Sequence, residues 1–182
     1  TVTRRQRQMC IRDRDDDADN LFWSEDSKSI YFAFDNRGER TIKQISLNGD
    51  LNEIASNVGG TTIGRPYISG GFHIANGTAA YTYGKPDRPA DVGIAIKGKT
   101  KVLTQLNEDI LGYRKLGKVN EIIYNSSFDN EEIQGWYITP PNFDPNKKYP
   151  LILEIHGGPH LAYGPHFSAE LQMMAASGYI VF

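Results

Sequence analysis

Leu151-Ile152-Leu153-Glu154-Ile155-His156-Gly157-Gly158-Pro159 couples a short apolar run to a pair of glycines. Bounded by Pro150 and the glycines, the run suits a buried strand of a parallel sheet, which is covered on both faces and reads as continuously apolar. The glycines let the backbone turn sharply and approach a ligand closely, because no Cβ stands in the way. Such a loop can hold N–H groups in place before negative charge develops on a bound group. Gly157 and Gly158 each have an N–H to offer, and Pro159 has none. Taken alone, the tetrapeptide 156–159 also reads as a glycine-rich turn out of a strand.

The lead-in adds to it. Ile133-Gln134-Gly135-Trp136-Tyr137-Ile138-Thr139-Pro140-Pro141-Asn142-Phe143-Asp144-Pro145, then Lys147-Lys148-Tyr149-Pro150, resembles the approach to the catalytic domain of the prolyl oligopeptidase family of serine peptidases. Gly157-Gly158-Pro159-His160 and Gly178-Tyr179-Ile180-Val181-Phe182 are similar to its acylaminoacyl-peptidase and dipeptidyl-peptidase-like branch. The resemblance is strong over 120–182 and weaker but compatible over 21–111. It implies a β-propeller followed by an α/β-hydrolase domain that cleaves short peptides. In α/β-hydrolases a His-Gly-Gly segment after an early strand supplies a backbone N–H to the oxyanion of acyl transfer.

Composition sets wider bounds. The chain has 182 residues and a formal net charge of −2, so electrostatics favour neither a nucleic-acid nor a membrane partner. Its single cysteine, Cys10, excludes an intrachain disulfide framework and suits a reducing, cytoplasmic setting, with a periplasmic or secreted one left open. No apolar stretch approaches the roughly 20 residues of a membrane span, and no signal peptide is visible. Asn76-Gly77-Thr78 and Asn125-Ser126-Ser127 match the glycosylation sequon, a tripeptide too common to argue secretion. The chain starts at Thr1 and stops at Phe182 inside an apolar run, and is read as a fragment of a longer protein.

Residues 1–14 hold five arginines and Cys10, then meet Asp13, Asp15, Asp16 and Asp17. A basic arm for nucleic acid would have its field cancelled within about one Debye length. Arg7-Gln8-Met9-Cys10-Ile11-Arg12-Asp13 resembles translated sequencing-adapter read-through, so 1–14 are set aside as non-native or disordered.

Over 15–110 the pattern is of short strands and tight turns. Ser29-Ile30-Tyr31-Phe32-Ala33-Phe34 runs into the turn signal Asp35-Asn36-Arg37-Gly38. A strand over 41–47 follows, Asn48-Gly49 supplies the positive φ of a two-residue hairpin, and 51–54 makes a third strand. The order recurs in Thr78-Ala79-Ala80-Tyr81-Thr82-Tyr83, 91–96, the turn Lys97-Gly98-Lys99, and 100–104. Gly49 and Gly98 lie about 50 residues apart, which suits four-stranded propeller blades. Trp23-Ser24-Glu25-Asp26-Ser27-Lys28 is similar to the turn before an inner blade strand. Two units cannot close a ring of roughly four to eight blades, so 15–110 are read as the last blades of a partial propeller. A β-sandwich is the alternative architecture.

From 111 to 182 the texture becomes that of the start of an α/β-hydrolase domain, with the boundary near 107–119. A hairpin is expected around Asp129-Asn130-Glu131-Glu132. Ser168 suits an N-cap, Glu170 the first helical turn, Phe167, Leu171 and Met174 a core-facing stripe, and Gly178 a helix stop. Strand, glycine loop, helix and strand make one βαβ unit.

Acyl transfer needs a nucleophile, a general base with an orienting acid, and an oxyanion hole. No Gly-x-Ser-x-Gly elbow occurs, and Ser168 and Ser177 read as helix-end residues. The catalytic Ser, Asp and His are therefore expected beyond Phe182, leaving this piece inactive by itself. Gly158 is the expected N–H donor to the oxyanion, Gly157 allows the turn, and His156 and Pro159 support the motif. The resemblance places His156 where other branches carry a tyrosine whose hydroxyl serves the oxyanion, which shifts the role to the backbone. His156, His160 and His166, with Glu170 as a fourth candidate, invite a metal reading, but the histidines sit in a loop broken by glycine and proline, unlike zinc ligands paired on one rigid element, and no metal or cofactor is expected. His73 reads as structural. Glu154 either pairs with a neighbour or marks the strand end.

Three functions follow. The first is a serine peptidase acting on short peptides, as a monomer or homo-oligomer. The second is a propeller-fused esterase, since one oxyanion hole serves esters and amides alike. The third is a non-catalytic propeller binding module.

Overall fold

A computed structural model describes residues 18–158 and 161–182. Residues 1–14 with Cys10, and Pro159 and His160 of the glycine loop, lie outside the described residues. The molecule is mostly β-sheet. Strands β1 (Ala18–Trp23), β2 (Ser29–Asn36), β3 (Glu39–Ser46) and β4 (Leu51–Val58) follow one another as an antiparallel meander. Strands β5 (Phe72–Ala75), β6 (Thr78–Lys85), β7 (Arg88–Ile96) and β8 (Lys99–Val102) repeat the plan. Val58 pairs with Tyr83 to join the two meanders, a propeller-like arrangement.

Turn chemistry explains the hairpins. Arg37-Gly38, Asn76-Gly77 and Lys97-Gly98 have positive φ at both positions, which matches the twist of the flanking strands. Asn48-Gly49 departs from the expectation, since only Gly49 is left-handed, at 91°. The Gly49 N–H donates to the Ser46 carbonyl at 3.0 Å and the Ser46 N–H to that of Asp50 at 2.9 Å, giving a three-residue connection. The Ser46 hydroxyl accepts from the N–H groups of Asn48 and Asp50, which holds this longer turn.

Two strands were not legible as such. β1 precedes the 24–28 turn and is mostly exposed, and β5 has four residues between glycines and a tight turn. The strand expected over 51–54 continues to Val58, because Ala55 and Val58 turn into the core despite the polar Ser56 and Asn57. Ala33, Ile42, Ala55, Val58, Phe72, Ala79, Tyr81 and Ala95 form that core. Opposite Tyr81 stands Gly93, whose missing Cβ leaves room for the phenol ring.

After a short helix α1 (Glu108–Leu111), a second sheet begins. Strands β9 (Lys118–Asn125) and β10 (Glu132–Thr139) pair in unbroken register. β11 (Leu151–Ile152) leads through the glycine loop to helix α2 (Ala169–Ala176) and then β12 (Ile180–Val181). β12 lies between β10, antiparallel, and β11, parallel, so strand, loop, helix and strand form a βαβ unit. The Ser168 hydroxyl accepts the Leu171 N–H at 3.2 Å as the helix cap, and Gly178 ends the helix with φ of 95°. Leu171 and Ala175 of the helix pack on Ile138 and Val181 of the sheet, each large aliphatic worth about 1.5–3 kcal/mol on burial. No helix among the described residues is long and apolar enough to cross a membrane.

The run 151–155 departs from the buried strand expected of it. Leu151, Leu153 and Ile155 are 64%, 59% and 73% exposed. Among the described residues this strand is the edge of the sheet, with β12 its only neighbour and one face uncovered.

Candidate functional site

The parallel ladder outlasts β11. The Phe182 N–H donates to the Ile152 carbonyl at 2.8 Å, and the Glu154 N–H to the Phe182 carbonyl at 2.7 Å. Past Glu154 the chain leaves the sheet, and His156, Gly157 and Gly158 lie exposed at the carboxyl end of the strand. The His156 Nδ1–H donates to the Gly157 carbonyl at 2.9 Å, which makes Nδ1 the protonated nitrogen. Its ring meets Tyr163 edge-on at 5.6 Å, and Tyr163 meets Tyr67 likewise at 4.8 Å. Gly157 does not occupy the left-handed region, and a Cβ there would meet only the Tyr67 hydroxyl, at an ordinary 3.4 Å.

Glu154 is paired. The Arg65 guanidinium bridges it to Glu170, reaching the latter at 3.0 Å through Nε, and the Tyr163 hydroxyl donates to Glu154 at 3.2 Å. Burial, with the Tyr67 hydroxyl beside it, raises the Tyr163 pKa above its usual 10.0, so the phenol keeps its proton and donates. Arg65 and Tyr67, both from the loop between β4 and β5, were invisible as site residues in the sequence. They have no periodic setting, and their partners lie about 90 residues away or more.

The remaining candidates do other work. His166 is buried, and its Nε2–H donates to the Gly38 carbonyl at 3.1 Å. Glu170 faces Arg65, His156 sits on the exposed loop, and His73 lies on β5. Among the described residues no group of three or more His, Cys, Asp or Glu is gathered for a metal ion. The Ser168 hydroxyl, buried, donates to the Gly64 carbonyl at 2.7 Å, and that of Ser177 to Met173 at 2.9 Å. Neither meets a base. A cavity of about 320 Å³ opens beside the loop, walled by Trp136, Glu154, Ile155, His156, Tyr163 and His166. The cavity reaches the loop at His156, while Gly157 and Gly158 lie exposed just beyond it, so their N–H groups stand open to an acceptor from solvent.

No protein-family profile matches the chain. The chain is 31% identical over 162 residues to the uncharacterized peptidase YuxL of Bacillus subtilis (strain 168), covering 87% of the chain and 23% of that protein. It is 29% identical over 173 residues to dipeptidyl-peptidase 5 of Porphyromonas gingivalis, covering 92% and 24%. Among solved structures, an acylaminoacyl peptidase in complex with Z-Gly-Gly-Phe-chloromethyl ketone superposes with a TM-score of 0.73 at 27% identity, over 93% of the chain and 25% of its own. The Pyrococcus horikoshii acylaminoacyl peptidase shares the fold, with a TM-score of 0.71 at 24% identity. The chain thus spans about a quarter of the length of these relatives. Over about nine-tenths of its length the chain aligns with peptidases, dipeptidyl-peptidase 5 and acylaminoacyl peptidase among them, which supports the resemblance to the prolyl oligopeptidase family.

Proposed function

We propose that this chain is part of a serine peptidase that hydrolyses short peptides at aminoacyl- or acylaminoacyl-peptide bonds through an acyl-enzyme. In this reading 15–110 are the last blades of a β-propeller and 111–182 the start of an α/β-hydrolase domain, with the boundary at 107–119. The observation that carries it is the glycine loop, exposed at the carboxyl end of β11 with its His156 on the wall of the cavity. Ligands of open α/β sheets bind at the carboxyl ends of the strands. The Gly158 N–H binds the oxygen as it becomes an oxyanion, and His156 gives the loop its lateral packing on Tyr163. The nucleophile, base and acid come from sequence that follows Phe182, and 1–182 alone turns over nothing. The reaction needs no cofactor, and residues 15–182, which contain no cysteine and so no intrachain disulfide, suit a reducing, cytoplasmic setting.

The test is made on the intact protein, with aminoacyl and acylaminoacyl chromogenic amides, the matching esters, and a serine-directed fluorophosphonate. Amide turnover abolished by the fluorophosphonate is the expected result. Labelling with ester turnover alone would replace the peptidase by an esterase, and no labelling would leave a binding module.

A further inference from the structure

The glycine loop is held at both ends by one short segment of the β4–β5 connection. Downstream the hold is backbone. Tyr67 bridges Tyr163, the Ile68 N–H donates to the Ala162 carbonyl at 3.2 Å, and the Gly164 N–H to that of Pro66 at 3.0 Å. Further on, the Ala169 N–H donates to the Ile63 carbonyl at 2.8 Å, and the Ser168 hydroxyl to that of Gly64. Upstream the hold is made by a side chain. Arg65 grips Glu154 on the strand and Glu170 on the helix with one planar fork, and Tyr163 adds a bond to the same Glu154 oxygen.

Glu154 is the last residue of its strand in the ladder, and its exposed neighbours Leu153 and Ile155 give it little packing. The direction in which 155–158 leaves the sheet therefore depends on where the Glu154 side chain is pulled. We propose that Arg65 is a positioning residue for the oxyanion-binding loop, acting through Glu154. Resting on the serine-peptidase reading above, this makes the β-rich unit a working part of the site. A lysine could not substitute fully, because a point charge lacks the rigid fork that spans two carboxylates.

The test uses the intact protein with Arg65→Met, Arg65→Lys, Glu154→Gln and the double variant Arg65→Met/Glu154→Gln. Arg65→Met is expected to lower kcat by about tenfold or more with KM within about twofold, the pattern of a lost transition-state interaction. Arg65→Lys should recover part of it. Because both residues act on one loop, the double variant should be no worse than the poorer single one. Unchanged kcat, a rise in KM alone, or losses that multiply would each overturn the proposal. Should Arg65→Met fail to fold, Glu154→Gln, nearly isosteric, carries the same expectation. Amide exchange over 153–158, read by mass spectrometry, should quicken by about tenfold in the folded variants while 132–139 stays protected. Unchanged exchange sinks the positioning role whatever the protein catalyses, whereas a wild-type protein without serine labelling sinks the peptidase reading.

Discussion

The imidazole of His166 donates from Nε2 to the carbonyl of Gly38 at 3.1 Å, tying the segment before α2 to the β2–β3 turn across 128 residues of sequence. Gly59 and Gly164 crowd the same ring, so that a Cβ at Gly59 would stand 2.9 Å from Nδ1. The contact belongs to a seam between the two sheets that also includes Arg37 on Glu132, at 2.9 Å, and the Gln134 amide on the Arg37 carbonyl, at 3.1 Å.

Burial holds the His166 pKa below its ordinary 6.5, against the smaller opposing pulls of the Gly38 carbonyl and Asp35. The unfolded chain thus takes up a proton that the folded chain refuses, and stability falls as pH drops below about 6.5 toward the folded value. Above about 6.5 the contribution is complete. Thermal midpoints of the intact protein from pH 7.5 to pH 5 should fall more steeply in the wild type than in His166→Gln. Parallel curves would mean that the ring is not held neutral.

Gly38 and Gly77 both have positive φ, but only Gly38 has a neighbour in the way, since a Cβ there would stand 2.5 Å from the Trp136 ring. Gly77→Ala should cost about 1 kcal/mol for its left-handed backbone alone. Gly38→Ala should cost clearly more and loosen the seam, while Gly64→Ala, with open space and no positive φ, should be near neutral. Denaturant midpoints rank the three, and equal effects at Gly38 and Gly77 would remove Trp136 from the explanation.

Ser168 caps α2 and satisfies the Gly64 carbonyl. Ser168→Ala should cost about 1–2 kcal/mol, as cap losses do, yet leave the stoichiometry of fluorophosphonate labelling unchanged. Loss of labelling in a folded variant would make Ser168 the nucleophile after all.

Where local chemistry dominates, the sequence was informative. The β9–β10 hairpin, the Ser168 cap and the Gly178 stop each rest on a few adjacent residues. What escaped depends on contacts distant in sequence. Gln172 looks like a solvated helix residue, yet it is buried, accepting the Gly117 N–H at 2.7 Å and donating to the Gly117 carbonyl at 3.1 Å. Arg65 sits in a loop without pattern, and only the fold shows that Glu154 and Glu170 face it. The run 151–155 has the composition of a covered strand, but composition does not say how much of the sheet lies beside it.

The role of the loop N–H is tested by comparing kcat for Gly158→Pro and Gly157→Ala in the intact protein, using an aminoacyl amide. The first removes the donor; the second keeps every N–H and adds a methyl in ordinary contact with the Tyr67 hydroxyl. Loss of one oxyanion donor should cut turnover at least about a hundredfold in Gly158→Pro, with Gly157→Ala within a few-fold of wild type. Equal turnover in Gly158→Pro and wild type would show that the oxyanion is bound elsewhere.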